Sequence, residues 1–423
     1  MSFRLNPAPK LPRGGVYWVA YSGGVDSTVL LHRLRTAGLK PLRAIHVHHG
    51  LQAAADDWVR HCRRQCRALK IPLRIETVRV QTSGEGPEAA ARTARHAAFR
   101  KHLKKNDCLV TAHHADDQAE TLLLRLLRGS GVRGLAAMRP LSDFAPAKLW
   151  RPLLGVSRAG ILAHARTHEL KWVEDPHNRD PRYSRSWLRQ DLMPVLRARY
   201  PALIKVLAQA AELNADASDL LNEYGKADLK EVVRGSALHI PSLRALSSVR
   251  RHHLLRLWLE QRAQQLPPAK TLTQIDKELL NARADAAPVI GLGKTELRRY
   301  RDHLYLLPRM PPVPVGIRIR WNGCGTLNLP EGCGSLRGRS PRAIQGLEVR
   351  FPSGGEKLKP LEDAHTRTLK NLCQQAGIPP WIRERLPLIY RDGELIAIAD
   401  LWRSTAAAQL RFAWSHPLQD IRG

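Results

Sequence analysis

VAYSGGVDSTVLLHRL, residues Val19–Leu34, joins a short apolar run to a helix-like one through Ser22, Gly23, Gly24, Val25, Asp26 and Ser27. A strand that turns straight into a helix starts a strand–helix–strand unit, and that unit implies a parallel sheet. Glycines at 23 and 24 open backbone angles closed to other residues and let amide N–H groups approach a ligand closely. Ser22 and Ser27 add hydroxyls, and the following helix brings the partial positive charge of its N-terminus. The loop is suited to phosphate. Asp26 would repel a phosphate unless a magnesium ion lies between them. An ordinary Gly-Gly strand-to-helix turn also accounts for these letters.

The same alternation runs on through about the first two hundred residues. Strand-like runs fall at Val16–Tyr21, Arg43–His48, Leu73–Val80, Cys108–Ala112 and Leu149–Leu154, with helix-like segments at Ser27–Thr36, Asp56–Leu69, Glu88–Leu103 and Asp116–Arg128 between them. This predicts an α/β domain with a doubly wound parallel sheet, ligands sitting beyond the carboxyl ends of its strands. From about Ser184 the pattern reads as helix only, and LPRMPPVPVG (Leu307–Gly316) reads as a linker. The expected division is a catalytic domain over 1–210, a helical middle domain over 211–310, a linker or extended segment over 311–339, and a small α+β C-terminal domain over 340–423.

At 423 residues the chain is long enough for two or three cores. No run of residues is apolar enough to span a membrane, and the N-terminus has no apolar stretch of signal-peptide type. Six cysteines without a Cys-x-x-Cys pair argue against a disulfide scaffold or a structural zinc site, so a reducing cytoplasm is expected. Lys and Arg number 68 against 38 Asp and Glu, a formal net charge of +30. That excess favours a polyanion, most often nucleic acid, although solubility or a biased composition produces the same total. The charge is also clustered in Arg60–Arg74, Arg92–Lys105 and Arg179–Arg199.

Other stretches carry chemistry. HVHHG places His46 and His48 on one strand face, which suits a metal pair, nucleotide contact or plain packing. In TAHHADDQAET, a helix starting near Asp116 brings Asp116, Asp117 and Glu120 together beside His113 and His114. First-turn acids also cap helices. EAAAR offers Arg92, and WVEDPHNRDPRYSRSWLR offers Arg179, Arg182, Arg185 and Arg189 with Trp172 and Trp187. Two motifs are discounted: GSGVRG (Gly129–Gly134) follows a helix instead of a strand, and GLGKT (Gly291–Thr295) has Pro288 where a P-loop needs glycine.

SGGVDS resembles the signature of the PP-loop ATP pyrophosphatases. The order SGGVDS, HVHHGLQ, EAAAR, TAHHADDQAETLLLRLLRGSGVRGL, RPLL and EDPHNRD, closely over residues 16–190, is similar to the tRNA(Ile)-lysidine synthetase family. The closing segment from Phe351 to Trp402 resembles that family's C-terminal domain, while His177 and Ser186 stand where serine and asparagine are usual. The resemblance implies a ligase that consumes ATP, adenylates the wobble cytidine of an isoleucine tRNA with a CAU anticodon, and lets the ε-amine of L-lysine displace AMP. It implies Ser22, Gly23, Gly24, Val25, Asp26 and Ser27 at ATP, with magnesium on Asp26, and Arg92 and His113 at the α-phosphate. Asp117 and Glu120 would grip lysine. Arg128, Arg182, Arg185 and Arg189, with the middle and C-terminal domains, would hold the tRNA, and a homodimer is possible. The alternatives are a thiolating sister enzyme, for which Cys62 and Cys66 are a poor catalytic pair, a small-molecule synthetase, which leaves +30 unexplained, and a non-catalytic RNA-binding protein, which leaves the loop unexplained.

Overall fold

Tyr17, Val19, Cys108 and Val110 line one core while Trp18 and Leu109 line another. This is the period-two alternation of strands buried on both faces. The computed structural model describes residues 3–48, 55–78, 87–174, 184–263, 267–283, 286, 288–313, 315–340 and 342–416. They form two units, Met1–Leu221 and Asn222–Gly423.

In the first unit, β1 (Tyr17–Ala20), β2 (Leu42–His48), β3 (Leu73–Thr77), β4 (Cys108–Val110), β5 (Leu141–Phe144) and β6 (Ala147–Trp150) form one sheet in the order β3-β2-β1-β4-β6-β5. All neighbouring pairs are parallel except β5 with β6. β5 is an antiparallel edge strand that the sequence reading did not anticipate. Helices α1 (Val25–Thr36), α2 (Ala55–Ala68), α3 (Pro87–His102), α4 (Ala115–Leu127), α5 (Val132–Leu135) and α6 (Arg158–Thr167) complete the alternation. Val29, Leu30 and Ile161 from α1 and α6 close one face of the sheet, and Phe99 from α3 closes the other.

Beyond the sheet, α7 (Ser184–Trp187), a π-helical turn over Leu188–Leu192 and α8 (Met193–Arg199) lead into α9 (Leu203–Val232). Leu188 and Met193 pack on Ala119 of α4, which brings this segment against the helix that carries the acids.

The second unit corrects the helix-only reading. Alongside α10 (Ile240–Ala245), α11 (Ser248–Ala263) and α12 (Ala269–Gln274) lies an antiparallel sheet ordered β7-β8-β11-β10-β9, from β7 (Val233–Arg234), β8 (Ala237–His239), β9 (Val289–Leu292), β10 (Thr295–Tyr300) and β11 (His303–Pro308). Leu254, Trp258, Ile275, Leu297 and Leu304 fill the core between its helices and sheet. GLGKT is the β9–β10 hairpin, turning at Gly293 with φ +61°. The expected linker contains strands β12 (Arg318–Arg320), β13 (Cys324–Asn328) and β14 (Ser335–Arg339). β12 pairs with β15 (Leu347–Arg350), and β14 pairs with Phe412–Ser415. β13 and β14 form a local hairpin, but β12 and β14 each also pair with a strand distant in sequence, which no local pattern announces. Trp381, Leu388, Ile396 and Trp414 fill the core of this C-terminal part.

Asp107 ties the first sheet together: its carboxylate accepts from Val16 N–H (3.0 Å), Lys104 N–H (2.9 Å) and Trp18 Nε1 (3.3 Å), and it is 4% exposed. Asp107→Ala leaves three donors unmet, that of Trp18 buried, and should lower unfolding stability by about 3 kcal/mol in denaturant melts, whereas a surface Asp143→Ala should change it little.

Candidate active site at the carboxyl ends of two central strands

The chain runs β1, β2, β3 to one side and resumes with β4 on the other side of β1, so the loops after β1 and β4 lie side by side at the switch point. In the first, Gly23 has φ +86°, and a Cβ there would meet Cys62 Sγ at 3.0 Å. Only glycine fits this turn without strain. Val173 N–H donates to the Gly23 carbonyl (3.0 Å) and holds the loop from above. Ser22 Oγ lies 3.0 Å from Ser27 Oγ and accepts from Gly24 N–H (3.3 Å), while Ser27 Oγ donates to the Gly24 carbonyl (3.0 Å). The hydroxyls are thus organised on the loop's own backbone at the N-terminus of α1.

Asp26 sits in the first turn of α1, and its Oδ1 is buried without a hydrogen-bond partner. Burial raises its carboxyl above the ordinary range, with Asp117 adding to the rise and His114, Arg158 and Arg189 opposing it. Across the crevice, His114 is 1% exposed and lies 3.9 Å from Asp26, 3.4 Å from Asp117 and 3.7 Å from Asp116. Asp117 accepts from His114 N–H (3.1 Å), so it does cap α4. Although burial opposes ionisation, His114, its backbone N–H and Arg189 outweigh it and hold Asp117 low. Asp116 turns the other way, accepting from Arg158 N–H (2.8 Å) and Arg197. Adjacent helical residues point about 100° apart, so the expected trio is a pair, Asp117 with Glu120.

Glu120 is 2% exposed and held by Arg189 through two bonds, Nε to Oε1 (2.7 Å) and Nη2 to Oε2 (2.8 Å); Nη2 also reaches Asp117 (3.2 Å). This forked ion pair is the strong, directional kind. Arg185 donates to Thr121 Oγ1 (2.8 Å). Both arginines, expected on an RNA-facing surface, are engaged with α4. Arg128 is exposed at the end of α4, whereas Arg182, Arg179 and His177 lie outside the described residues. Arg92 is exposed on α3. His113 bonds Thr111 Oγ1 (2.8 Å), and burial, reinforced by Arg151, Arg185 and Arg92 against Asp117, pushes it far down, to the neutral imidazole.

Sequence reading did not single out Val173, Arg158 or Arg197, although Val173 lies in the quoted WVEDPHNRD stretch and Arg197 in the 179–199 basic cluster. His46 is buried and bonded to the Tyr21 carbonyl (2.9 Å), a packing role, and no described group of His, Cys, Asp and Glu is arranged to hold a metal. Burial pushes the Cys62 and Cys66 thiols up to about 12. Buried thiols held so high are poor nucleophiles, which weighs against a thiolation role for this pair. On α2 the basic residues Arg60, Arg63, Arg64 and Arg67 are exposed while Val59, Cys62 and Cys66 face inward.

A PP-loop domain family model matches residues 9–196, a TilS substrate binding domain model residues 238–305, and a TilS substrate C-terminal domain model residues 347–414. The chain is 44% identical over 402 residues to the tRNA(Ile)-lysidine synthase of Xanthomonas axonopodis pv. citri, covering 93% of this chain and 90% of that one. It is 45% identical over 398 residues to the same-named protein of Alkalilimnicola ehrlichii, covering 91% and 89%. With that of Pseudomonas aeruginosa it shares 43% over 431 residues, covering 98% and 96%. With all three models matching in order and such identity along nearly the whole chain, this protein belongs to the tRNA(Ile)-lysidine synthase family.

Proposed function

We propose that the chain joins L-lysine, through its ε-amine, to the 2-position of the wobble cytidine in an isoleucine tRNA bearing a CAU anticodon, with ATP cleaved to AMP and diphosphate. The observation that carries this reading is the meeting of two unlike half-sites across 3.9 Å: a hydroxyl-lined loop at a helix N-terminus, and a helix start bearing Asp117 and Glu120. One half suits phosphates and the other an ammonium group.

Residues 22–27 would hold the diphosphate end of ATP, the first-turn amides of α1 and the Ser22 and Ser27 hydroxyls facing its oxygens. The unpartnered Asp26 Oδ1 fits a magnesium ion, which would neutralise phosphate charge there. Arg92 and His113 would face the α-phosphate. Lysine's ε-ammonium normally titrates near 10.4, so it must lose a proton before it attacks. An acid or histidine at the crevice must accept that proton. Asp117 and Glu120 would bind an ammonium group of lysine, which must share Glu120 with Arg189 or displace it. The exposed arginines of α2, with Arg128 and Arg182, would contact the tRNA, whose reacting base must leave its stack to reach the crevice.

Labelled lysine should enter an isoleucine tRNA transcript with a CAU anticodon, given ATP and magnesium, and should not enter the CAU-bearing methionine tRNA. Diphosphate release without lysine entry would keep ATP cleavage and remove lysine as the nucleophile. Glu120→Gln should raise the lysine KM at least tenfold, the worth of about one charged hydrogen bond, with RNA-dependent diphosphate release retained. Unchanged lysine dependence would refute the role.

Asp26→Asn should abolish diphosphate release yet melt higher than the parent protein at neutral pH. Its carboxyl titrates higher in the folded state than in the unfolded chain, so ionisation above the ordinary value of 3.8 costs folding stability. The difference in melting point should shrink as the pH is lowered towards that value and vanish below it. A melting point that falls on substitution would show that the carboxylate is stabilised in the fold.

A further inference from the structure

Asp116, Asp117 and Glu120 each have an arginine partner, but two arginines beside them lack an acid. Arg151, of the RPLL stretch, directly follows β6, which pairs in parallel with β4, so it stands at the sheet edge from which His113 also emerges. It is 9% exposed. Its Nη1 donates to the Arg139 carbonyl (2.7 Å) and to Ser142 Oγ (3.1 Å), while its Nε is buried with no partner. Arg125, in the last turn of α4, donates from Nη1 to the carbonyls of Gly134 (2.7 Å) and Ala137 (2.8 Å). Both guanidiniums therefore grip one turn of chain, residues 134–139. Gln118 fixes that turn on α4 by reciprocal bonds to the Met138 backbone, each 2.9 Å. Among the described residues neither Arg125 nor Arg151 makes an ion pair.

Purely structural arginines elsewhere in the chain look different. Arg299, also 9% exposed, has its Nε and Nη1 satisfied by carbonyls of residues 279, 280, 282 and 301. Arg385 has an unpartnered Nε, but the negative charges of Glu384 and Glu296 act on it. The charges acting on Arg151 come from Arg92 and Arg125, both positive, and together with burial they lower its guanidinium to about 10. The same field reaches His96, which burial and then Arg92, Arg95, Arg100 and Arg151 push down to about 4. A buried positive charge with no counter-ion and an unmet donor costs folding stability that an arriving anion returns.

We propose that Arg125 and Arg151 form a phosphate site separate from the 22–27 loop, taking a phosphate of the RNA strand beside the reacting nucleotide or a phosphate of the nucleotide cosubstrate. Planar guanidiniums braced on carbonyls present their remaining N–H groups in the fork that phosphate oxygens accept. The RNA source rests on the function proposed above; the anion site itself does not.

The test uses the full-length chain with Arg151→Gln, and Arg125→Gln as a second variant that carries the same measurements should the first fail to fold. Inorganic phosphate should raise the melting temperature of the parent protein more than that of either variant; equal shifts overturn the site. With the CAU-bearing isoleucine tRNA, an RNA source predicts roughly tenfold weaker binding at low salt, with a salt slope smaller by about one and an unchanged ATP KM. A nucleotide source predicts an ATP KM higher by roughly tenfold with RNA affinity unchanged. Folded variants that change neither overturn the proposal. Failure of the parent protein to incorporate lysine would remove the proposed reaction and leave the inorganic phosphate result to judge the site.

Discussion

Parallel pairing of β1 with both β2 and β4 is the constraint on which the rest of the active region depends. Each parallel strand needs a crossover helix, and the crossovers on either side of β1 leave in opposite directions. A gap therefore opens above the carboxyl ends of β1 and β4, with the start of α1 on one wall and the start of α4 on the other. The 3.9 Å approach of His114 to Asp26 across that gap follows directly from the strand order.

Charge then organises what the gap contains. Glu120 and Asp116 are nearly inaccessible to water and each is met by an arginine from the α7–α8 segment, Arg189 and Arg197. A buried carboxylate without a partner is costly, so the packing of Leu188 and Met193 on α4 and the pairing of these arginines support each other. Asp26, Arg125 and Arg151 stand outside this balance. Asp26 Oδ1 and Arg151 Nε are buried without a hydrogen-bond partner, and neither Arg125 nor Arg151 meets an acid among the described residues.

Much of the first unit was legible in the letters because its signals are local. Gly23 and Gly24 mark a turn that other residues resist, the apolar runs of β1, β2 and β4 are continuous because both faces are buried, and α2 separates its arginines from its cysteines at helical spacing. The second unit was less legible. β9, β10 and β11 are short and half-exposed, and β12 and β14 pair with strands up to about eighty residues away, so the Pro-rich stretch before them reads as linker. Arg185 and Arg189 illustrate the same limit: a run of arginines reads as an RNA-facing surface until packing turns two of them onto buried acids.

By itself the sequence determined the alternation of β1 to β4 with α1 to α4, the glycine turn at 22–27 and the family, since these depend on residue type at short spacing. The tertiary structure decided which charges meet. That Asp117 pairs with Glu120 and Asp116 does not, that Arg189 occupies the acid pair, and that Arg151 is buried beside Arg125 without an acid all depend on contacts spanning tens of residues. Electrostatic energy depends on distance in space and on burial, and neither is written in the spacing of letters along the chain.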